Sequence, residues 1–335
     1  MIKNIKETAF EAGTLTLVLR WVIGWTYFSA FWRRIVLENK LNPEEAGYIG
    51  EKFNHFLPNA LGIKPIIEYL VTHPETLWYA MVIFTIIEAL VGLMIILGLF
   101  TRLMAFGVFN LALGILLGSG WLGTTCLDEW QIGVLGIASG FVLMLTGSGK
   151  YSIDYYLLKK KHPLTQKQSF PYIGSGILPW ATKTKNKIIL TGSICITLLT
   201  LFTNQYFHGG VFGTLHNKSV KPKLEISNVY TREGYLNFTV MRVEGADVYG
   251  SFLIEIAAYN ENNEKIEEWS MQELRTLKPH QIQNFYVAKI VPHKNSLLLP
   301  LGAKASISLP ITTQENIARI QLTDISGLEW SSLIE

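Results

Sequence analysis

The stretch Ile188-Ile189-Leu190-Thr191-Gly192-Ser193-Ile194-Cys195-Ile196-Thr197-Leu198-Leu199-Thr200-Leu201-Phe202-Thr203 is the last long apolar run in the chain. The sequence then changes character through Tyr206-Phe207-His208-Gly209-Gly210-Val211-Phe212-Gly213-Thr214-Leu215-His216-Asn217-Lys218-Ser219. Before this boundary the chain reads as apolar helices; after it, as a polar, strand-patterned tail to Glu335. One polypeptide therefore occupies two solvents, and chemistry is expected where they meet.

Working outward, 335 residues that are 49% hydrophobic and only 16% charged, with mean hydropathy +0.26, make a chain more apolar than ordinary soluble domains. A formal net charge of +3 is too weak to suggest nucleic acid as a partner. Two cysteines, Cys126 and Cys195, cannot build a disulfide framework. A cleavable leader is not expected, because residues 1–13 are mixed polar and the apolar run from Thr14 continues for a full membrane width.

Crossing a hydrocarbon core of about 30 Å takes roughly 20 apolar residues. Five segments approach that length, near Thr14 to Trp32, Leu77 to Phe100, Leu103 to Trp121, Gln131 to Gly147 and Ile188 to Thr203. The last two are short and are expected to stand near-perpendicular or meet a thinned interface. Gly114 with Gly118, and Gly136 with Gly140, have small-xxx-small spacing, so the third and fourth helices are expected to pack closely.

The stretch from Lys150 to Lys187 carries eight lysines, which under the positive-inside rule keeps it cytoplasmic. The N-terminus then lies inside, and everything after Thr203 lies outside. Arg33 and Arg34 end the first helix on the outer side, against that bias. They are candidates for holding an anion, or for interfacial snorkelling. From about Ser219, alternation such as Leu236-Asn237-Phe238-Thr239-Val240 and Ser306-Ile307-Ser308-Leu309 signals half-buried strands. About seven strands in about 115 residues fit an Ig-like antiparallel sandwich. The expected fold is thus a multi-domain membrane protein: a transmembrane bundle of four helices plus a fifth, then an extracytoplasmic antiparallel β-sandwich. Its domains are 1–150 (the four-helix part), 151–187 (a basic cytoplasmic linker) and 188–335 (helix 188–203, then the sandwich from about 219).

Ionisable residues inside a membrane are functional suspects by default. Counted along their helices, Arg20 and Glu88 fall within about 4 Å of the same depth. Asn110 reaches a similar level, which makes a polar layer of Arg20, Glu88 and Asn110 plausible. The alternatives for it are quinone or proton handling and a buried ion pair that fixes helix register. On the outer side, Gly120-Trp121-Leu122-Gly123-Thr124-Thr125-Cys126-Leu127-Asp128-Glu129-Trp130 holds the only thiol able to face outward. Cys195, in mid-helix, reads as a small packing residue. Acids near Cys126 would raise its pKa, whereas Arg33 and Arg34 could lower it. His208 and His216, with Lys218 and flexible glycine backbone, offer donors to a small oxyanion. A metal is the competing reading, but two histidines make half a site. Cys126, His208, His216, Arg33 and Arg34 could converge on one interfacial pocket. No histidine falls in a span, and no haem-attachment motif, iron-sulfur cysteine set or dinucleotide fingerprint is present, so no haem, flavin or iron-sulfur cluster is expected.

Arg20-Trp21-Val22-Ile23-Gly24-Trp25, Ile87-Glu88-Ala89-Leu90-Val91-Gly92-Leu93 and Gly98-Leu99-Phe100-Thr101-Arg102 resemble the DoxD/DoxX membrane family. The run from Gly120 to Trp130 resembles DoxD specifically, and His208 to Ser219 resembles the opening of DoxA. The resemblance covers nearly the whole chain, with weakest cover over the lysine linker. It implies a thiosulfate:quinone oxidoreductase, which joins two thiosulfates as tetrathionate and passes two electrons to membrane quinone. The site roles are inferred from position: Cys126, His208 and His216 catalytic; Arg33, Arg34 and Lys218 substrate-binding; Arg20, Glu88 and Asn110 for quinone and protons; no metal. The expected partners are thiosulfate or a similar sulfur oxyanion, membrane quinone as electron acceptor, the lipid bilayer of the cell (inner) membrane and a second copy of the chain. A scaffold presenting the sandwich to another protein is the alternative from a different class. A small-solute permease is a third, disfavoured by the lack of repeat symmetry.

Overall fold

The computed structural model describes residues 10–45, 47–123, 128–246 and 251–334. In chain order its helices are α1 (Leu17–Phe31), α2 (Glu51–Phe56), α3 (Lys64–Thr72), α4 (Pro74–Leu97), α5 (Thr101–Ser119), α6 (Asp128–Thr146), α7 (Ile153–Lys159), α8 (Phe170–Ile173) and α9 (Thr182–His208). The strands come next: β1 (Lys223–Arg232), β2 (Tyr235–Glu244), β3 (Ser251–Tyr259), β4 (Lys265–Ser270), β5 (Ile282–Asn284), β6 (Val291–Pro292), β7 (Leu297–Leu299), β8 (Lys304–Pro310), β9 (Arg319–Asp324) and β10 (Glu329–Leu333). A single helical turn, α10 (Met271–Leu274), lies between β4 and β5. Two compact units result: Met1–Ile49, Trp78–Gly120 and Asp128–His216 in one, and Gly50–Leu77, Trp121–Leu127 and Asn217–Glu335 in the other.

In the first unit α4, α5, α6 and α9 are long and apolar enough to cross a membrane. The expectation that the fifth span is short is corrected, whereas α6 runs only 19 residues: α9 runs 27, about 40 Å of helix, because polar Thr182 to Lys187 and Asn204 to His208 stay helical beyond the apolar run. α1 is less regular than its apolar run suggests. Its 15 residues come after a helical segment at 10–15 that is interrupted at Thr16, and it ends in a π-helical turn, Trp32–Leu37. Thr16 donates its hydroxyl to Ala12 O and Gly13 O at 3.3 and 3.2 Å, a back-bond that competes with the ladder at the interruption.

Glycines set the helix contacts. A methyl at Gly140 would lie 2.8 Å from Phe109 N, and one at Gly136 would lie 2.6 Å from Ala112 Cβ, so α6 lies directly on α5 through that pair. Gly114, by contrast, faces open space, which corrects half of the expected glycine seam. A close approach that the sequence reading missed is between α1 and α4, where a methyl on Gly92 would strike the Phe28 backbone. Most of α9 is exposed to the surroundings, Cys195 included, so that thiol is not a packing residue as expected. α9 is tied to α6 by the Trp130 indole, which donates to Thr203 Oγ1 at 3.0 Å, and by Gly192 against the Phe141 ring.

The second unit is an antiparallel sandwich. One sheet has the order β1-β2-β8-β5; the other runs β10-β9-β3-β7-β6, with β4 also paired to β3. Leu236, Phe238 and Val240 of β2 lie opposite Leu309, Ile307 and Ala305 of β8, which puts all six on the inner face. Leu253, Ala258, Ile320 and Leu322 from the other sheet close the same core. Among the described residues ten strands form where about seven were expected, since β5, β6 and β7 are only two or three residues long and carry no period of their own.

Helices α2 and α3 belong to this unit as well. Leu57, Ile67 and Val71 bury with Tyr286 in a satellite core that Met241 flanks. Asn54, fully buried, donates to Gly302 O at 3.3 Å and accepts from Ala288 N at 3.1 Å. Gly302 holds φ at +75°, and a methyl there would collide with the Asn54 backbone, so both conformation and space demand glycine. Tyr286 donates to Glu68 Oε1 at 2.8 Å; burial, reinforced by that carboxylate, pushes its phenol above the usual tyrosine range.

Candidate functional site

The first unit contains a buried ion pair. Arg34, carried on the π turn, donates through Nη1 to Glu88 Oε2 at 2.6 Å and to Thr85 Oγ1 at 2.8 Å. Their side chains are only 13% and 6% exposed. Thr85 sits one turn before Glu88 on α4, so both present to the same face, and its own hydroxyl donates to Met81 O at 2.7 Å. The Arg34 guanidinium lies 5.9 Å over the Phe84 ring, and the exposed Arg33 also acts electrostatically on Glu88. Tyr27, 4% exposed, is within electrostatic reach of Glu88, with its hydroxyl 3.5 Å from Val108 O. A π turn gives α1 an extra residue in one turn and re-aims the side chains beyond it, a feature frequent at functional sites. The outcome is a charged, hydrogen-bonding pair flanked by aromatic rings, an arrangement that can hold a polar head on an apolar body and exchange protons with it.

The expected layer of Arg20, Glu88 and Asn110 does not form. Arg20 is 1% exposed, but its guanidinium donates to Ser148 O and Tyr151 O, each at 2.6 Å, at the opposite end of α1 from Arg34. Arg20 lies level with Gly98, just past the end of α4, whereas Glu88 stands ten residues earlier on that helix, about 15 Å away along its axis. Asn110 is exposed and donates to Phe106 O on its own helix at 2.7 Å. Around Arg20 lies a group that sequence reasoning missed. Asp154, fully buried, accepts from Phe100 N, Thr101 N, Thr101 Oγ1 and Ser175 Oγ at 2.8 to 3.0 Å and so caps α5. Arg102, also buried, donates to Met144 O, Pro171 O and Gly176 O. These contacts make the linker a structured clasp. The signal was present, since Asp154 is the only acid between Lys150 and Lys187.

His208 ends α9 fully buried. Its Nε2 lies 3.0 Å from Gly120 O, and since a carbonyl only accepts, Nε2 carries the proton and Nδ1 presents a lone pair. That Nδ1 and Asn204 Oδ1 are buried with no partner among the described residues. The glycine-rich segment folds back on the helix end: His216 N donates to His208 O at 2.9 Å, and Gln205 Oε1 accepts from Val211 N and Phe212 N. Gly209, at φ +63°, supplies the left-handed residue this turn needs. The two histidines are thus neighbours, one buried and one exposed.

Arg33 is exposed, with Nε 3.3 Å from Ser29 O. Lys218, in the second unit, donates to Asn59 Oδ1 at 3.0 Å, and Asn59 in turn donates to Val243 O. Cys126 lies outside the described residues. Of the nine expected site residues, the structure therefore joins Arg34 to Glu88 and His208 to His216, and separates Arg20 and Asn110 from Glu88.

Residues 15–181 match the family model described as TQO small subunit DoxD, and residues 207–333 match the one described as TQO small subunit DoxA.

Proposed function

We infer, from the chain's being a DoxD domain and a DoxA domain joined in tandem, that it is a membrane oxidoreductase that oxidises thiosulfate and reduces quinone. Both are subunit families of thiosulfate:quinone oxidoreductase. In the proposed reaction the sulfane sulfurs of two thiosulfates form one S–S bond, giving tetrathionate and releasing two electrons. Quinone takes up those electrons with two protons and leaves as hydroquinone.

The observation that carries the quinone half is the Arg34–Glu88 pair. A charge pair among aromatic side chains in a membrane protein is costly to keep unless it is used. Arg34 would donate to a quinone oxygen while Glu88 passes it a proton, with Thr85 holding the guanidinium in place. This assignment replaces Arg20 and Asn110 with Arg34, Thr85 and Tyr27 around Glu88. Arg34, read from sequence as a candidate for holding an anion, and Glu88, read as part of a quinone or proton layer, are hydrogen-bonded to each other. Cys126, His216, Arg33 and Lys218 are proposed to act on thiosulfate, and the His208 Nδ1 lone pair to accept a proton. The lysine-bearing linker is proposed to be cytoplasmic, and the sandwich and Arg34 end of α1 to face outward across the cell membrane.

The decisive assay is thiosulfate-dependent reduction of a short-chain quinone by the purified protein in detergent, with product analysis for tetrathionate. Turnover with thiosulfate supports the reading. Turnover with sulfite, sulfide or thiols alone moves the substrate, and folded protein inactive with all of them favours a scaffold.

A further inference from the structure

On the linker side of the first unit two cavities adjoin, of 550 and 380 Å3, sharing the wall Gly176-Ile177. Neither takes part in the site described above. The larger is walled by Val142 and Leu145 from the last turns of α6, Ile189 from the first turns of α9, and Leu178 and Trp180 from the linker. Lys185 stands at its lining one helical turn before Ile189, on the same face of α9 and about 6 Å closer to the helix start. The smaller cavity carries Lys150 and Lys159. The cationic groups therefore sit where the spans end, and the apolar wall sits where they begin to enter the bilayer.

Three observations say what this place would hold. The side chains of Lys150, Lys159 and Lys185 are exposed and make no ion pair among the described residues. The acids nearby do not neutralise them, for Asp154 is buried and spent on capping α5, and exposed Glu11 forms no bridge among the described residues. Trp180 and Tyr172 pack at a tilt with ring centroids 6.4 Å apart, and Tyr151 and Tyr156 are more than half exposed, the aromatic belt expected at a membrane interface. Free cations above an apolar groove, at interface depth, are complementary to an amphiphile with an anionic head and a hydrocarbon tail. A neutral isoprenoid would leave the cations unpaired, and a soluble anion would leave the groove unfilled.

We propose that this linker-side groove is a binding site for an anionic phospholipid, whose phosphate is held by Lys150, Lys159 and Lys185 and whose acyl chain lies between α6 and α9 against Ile177. Such a lipid would fasten the basic linker to the α6–α9 seam. The site is independent of the redox reading and is tested without an activity assay.

The test is native mass spectrometry of the full-length protein released from detergent after incubation with equal amounts of phosphatidylglycerol and phosphatidylcholine. Wild type is expected to retain one phosphatidylglycerol at least five-fold over phosphatidylcholine. The triple variant Lys150→Ala/Lys159→Ala/Lys185→Ala should lose that preference, and the corresponding triple Lys→Arg should keep it. Leu145→Trp, which fills the groove, should lower phosphatidylglycerol retention with the lysines intact. Equal retention of both lipids by wild type would overturn the proposal, as would a preference that survives the triple alanine variant. Retention of glycerol-3-phosphate as strong as that of phosphatidylglycerol would overturn the lipid assignment in favour of a soluble anion.

Discussion

Substituting the Arg34–Glu88 pair separates its structural from its chemical role. In Glu88→Leu the Arg34 guanidinium loses its carboxylate and keeps only the Thr85 hydroxyl. Breaking a buried pair by removing one partner costs about 3–5 kcal/mol. With Arg34 13% exposed and able to lean outward, the low end applies, so about 3 kcal/mol is expected, roughly a hundred-fold in the folding equilibrium. Arg34→Leu strands Glu88 instead, which is more enclosed at 6% exposure and cannot reach as far, so its cost should be equal or larger. Arg34→Leu/Glu88→Leu strands neither, because Thr85 retains its bond to Met81 O. It should return to within about 1 kcal/mol of wild type. Stability is read from chemical unfolding in detergent, and activity from quinone reduction in the same preparations. If the pair handles quinone and protons, the double variant recovers stability but stays at least about a hundred-fold slow. A double variant that recovers both would refute the assignment and leave the pair as a device for helix register.

Other outcomes rest on single contacts. Asn54→Ala removes the Asn54 side chain's hydrogen bonds to the sandwich and leaves Gly302 O and Ala288 N without them, so the second unit should lose about 2–4 kcal/mol in denaturant unfolding. Gly302→Ala, strained at positive φ and blocked by the Asn54 backbone, should lose a similar amount, with the two substitutions non-additive because they act on one contact. Tyr286 has its pKa raised in the folded state, so its contribution to stability is fully present below the ordinary tyrosine value of about 10 and is lost as pH rises through the folded value. A pH-stability profile should therefore fall above about pH 10, and Tyr286→Phe should flatten that fall. Cys126→Ser and His216→Ala should each depress thiosulfate-dependent turnover without changing thermal stability, and unchanged turnover in both would remove them from the site.

The large features were readable because they rest on solvent. Long apolar runs read as helices fit to cross a membrane, as four of them are, and the period-two pattern of Leu236, Phe238 and Val240 reads as a strand with one buried face. The failures were in quantities that need a phase or an origin. A depth counted from Thr14 mislaid Arg20, since no local pattern shows that its guanidinium lies level with Gly98, past the end of α4. Glu88 was grouped with Arg20 instead of Arg34, because nothing in the sequence shows that a π turn re-aims Arg34 towards it. Gly24 and Gly92 lie far apart in sequence and show no spacing motif, although a methyl on Gly92 would strike the Phe28 backbone.

The least legible part was residues 50–72, and the reason is physical. Phe53, Leu57, Ile67 and Val71 are too few and too interrupted by Pro58, Gly62 and Pro65 to read as a span or a domain, because the surface they bury against, Met241 and Tyr286, lies far later in the chain. Asn54 meets Gly302, Glu68 meets Tyr286 and Asn59 meets Lys218, so three side chains from the DoxD match are fastened within the fold built by the DoxA match. The family boundary therefore does not coincide with the structural one. Taken alone, residues 217–335 would present Met241 and Tyr286 to water and leave Ala288 N and Gly302 O without Asn54. The DoxD loop is, in energetic terms, part of the sandwich's own core, and joining both matches in a single chain keeps that loop at high effective concentration.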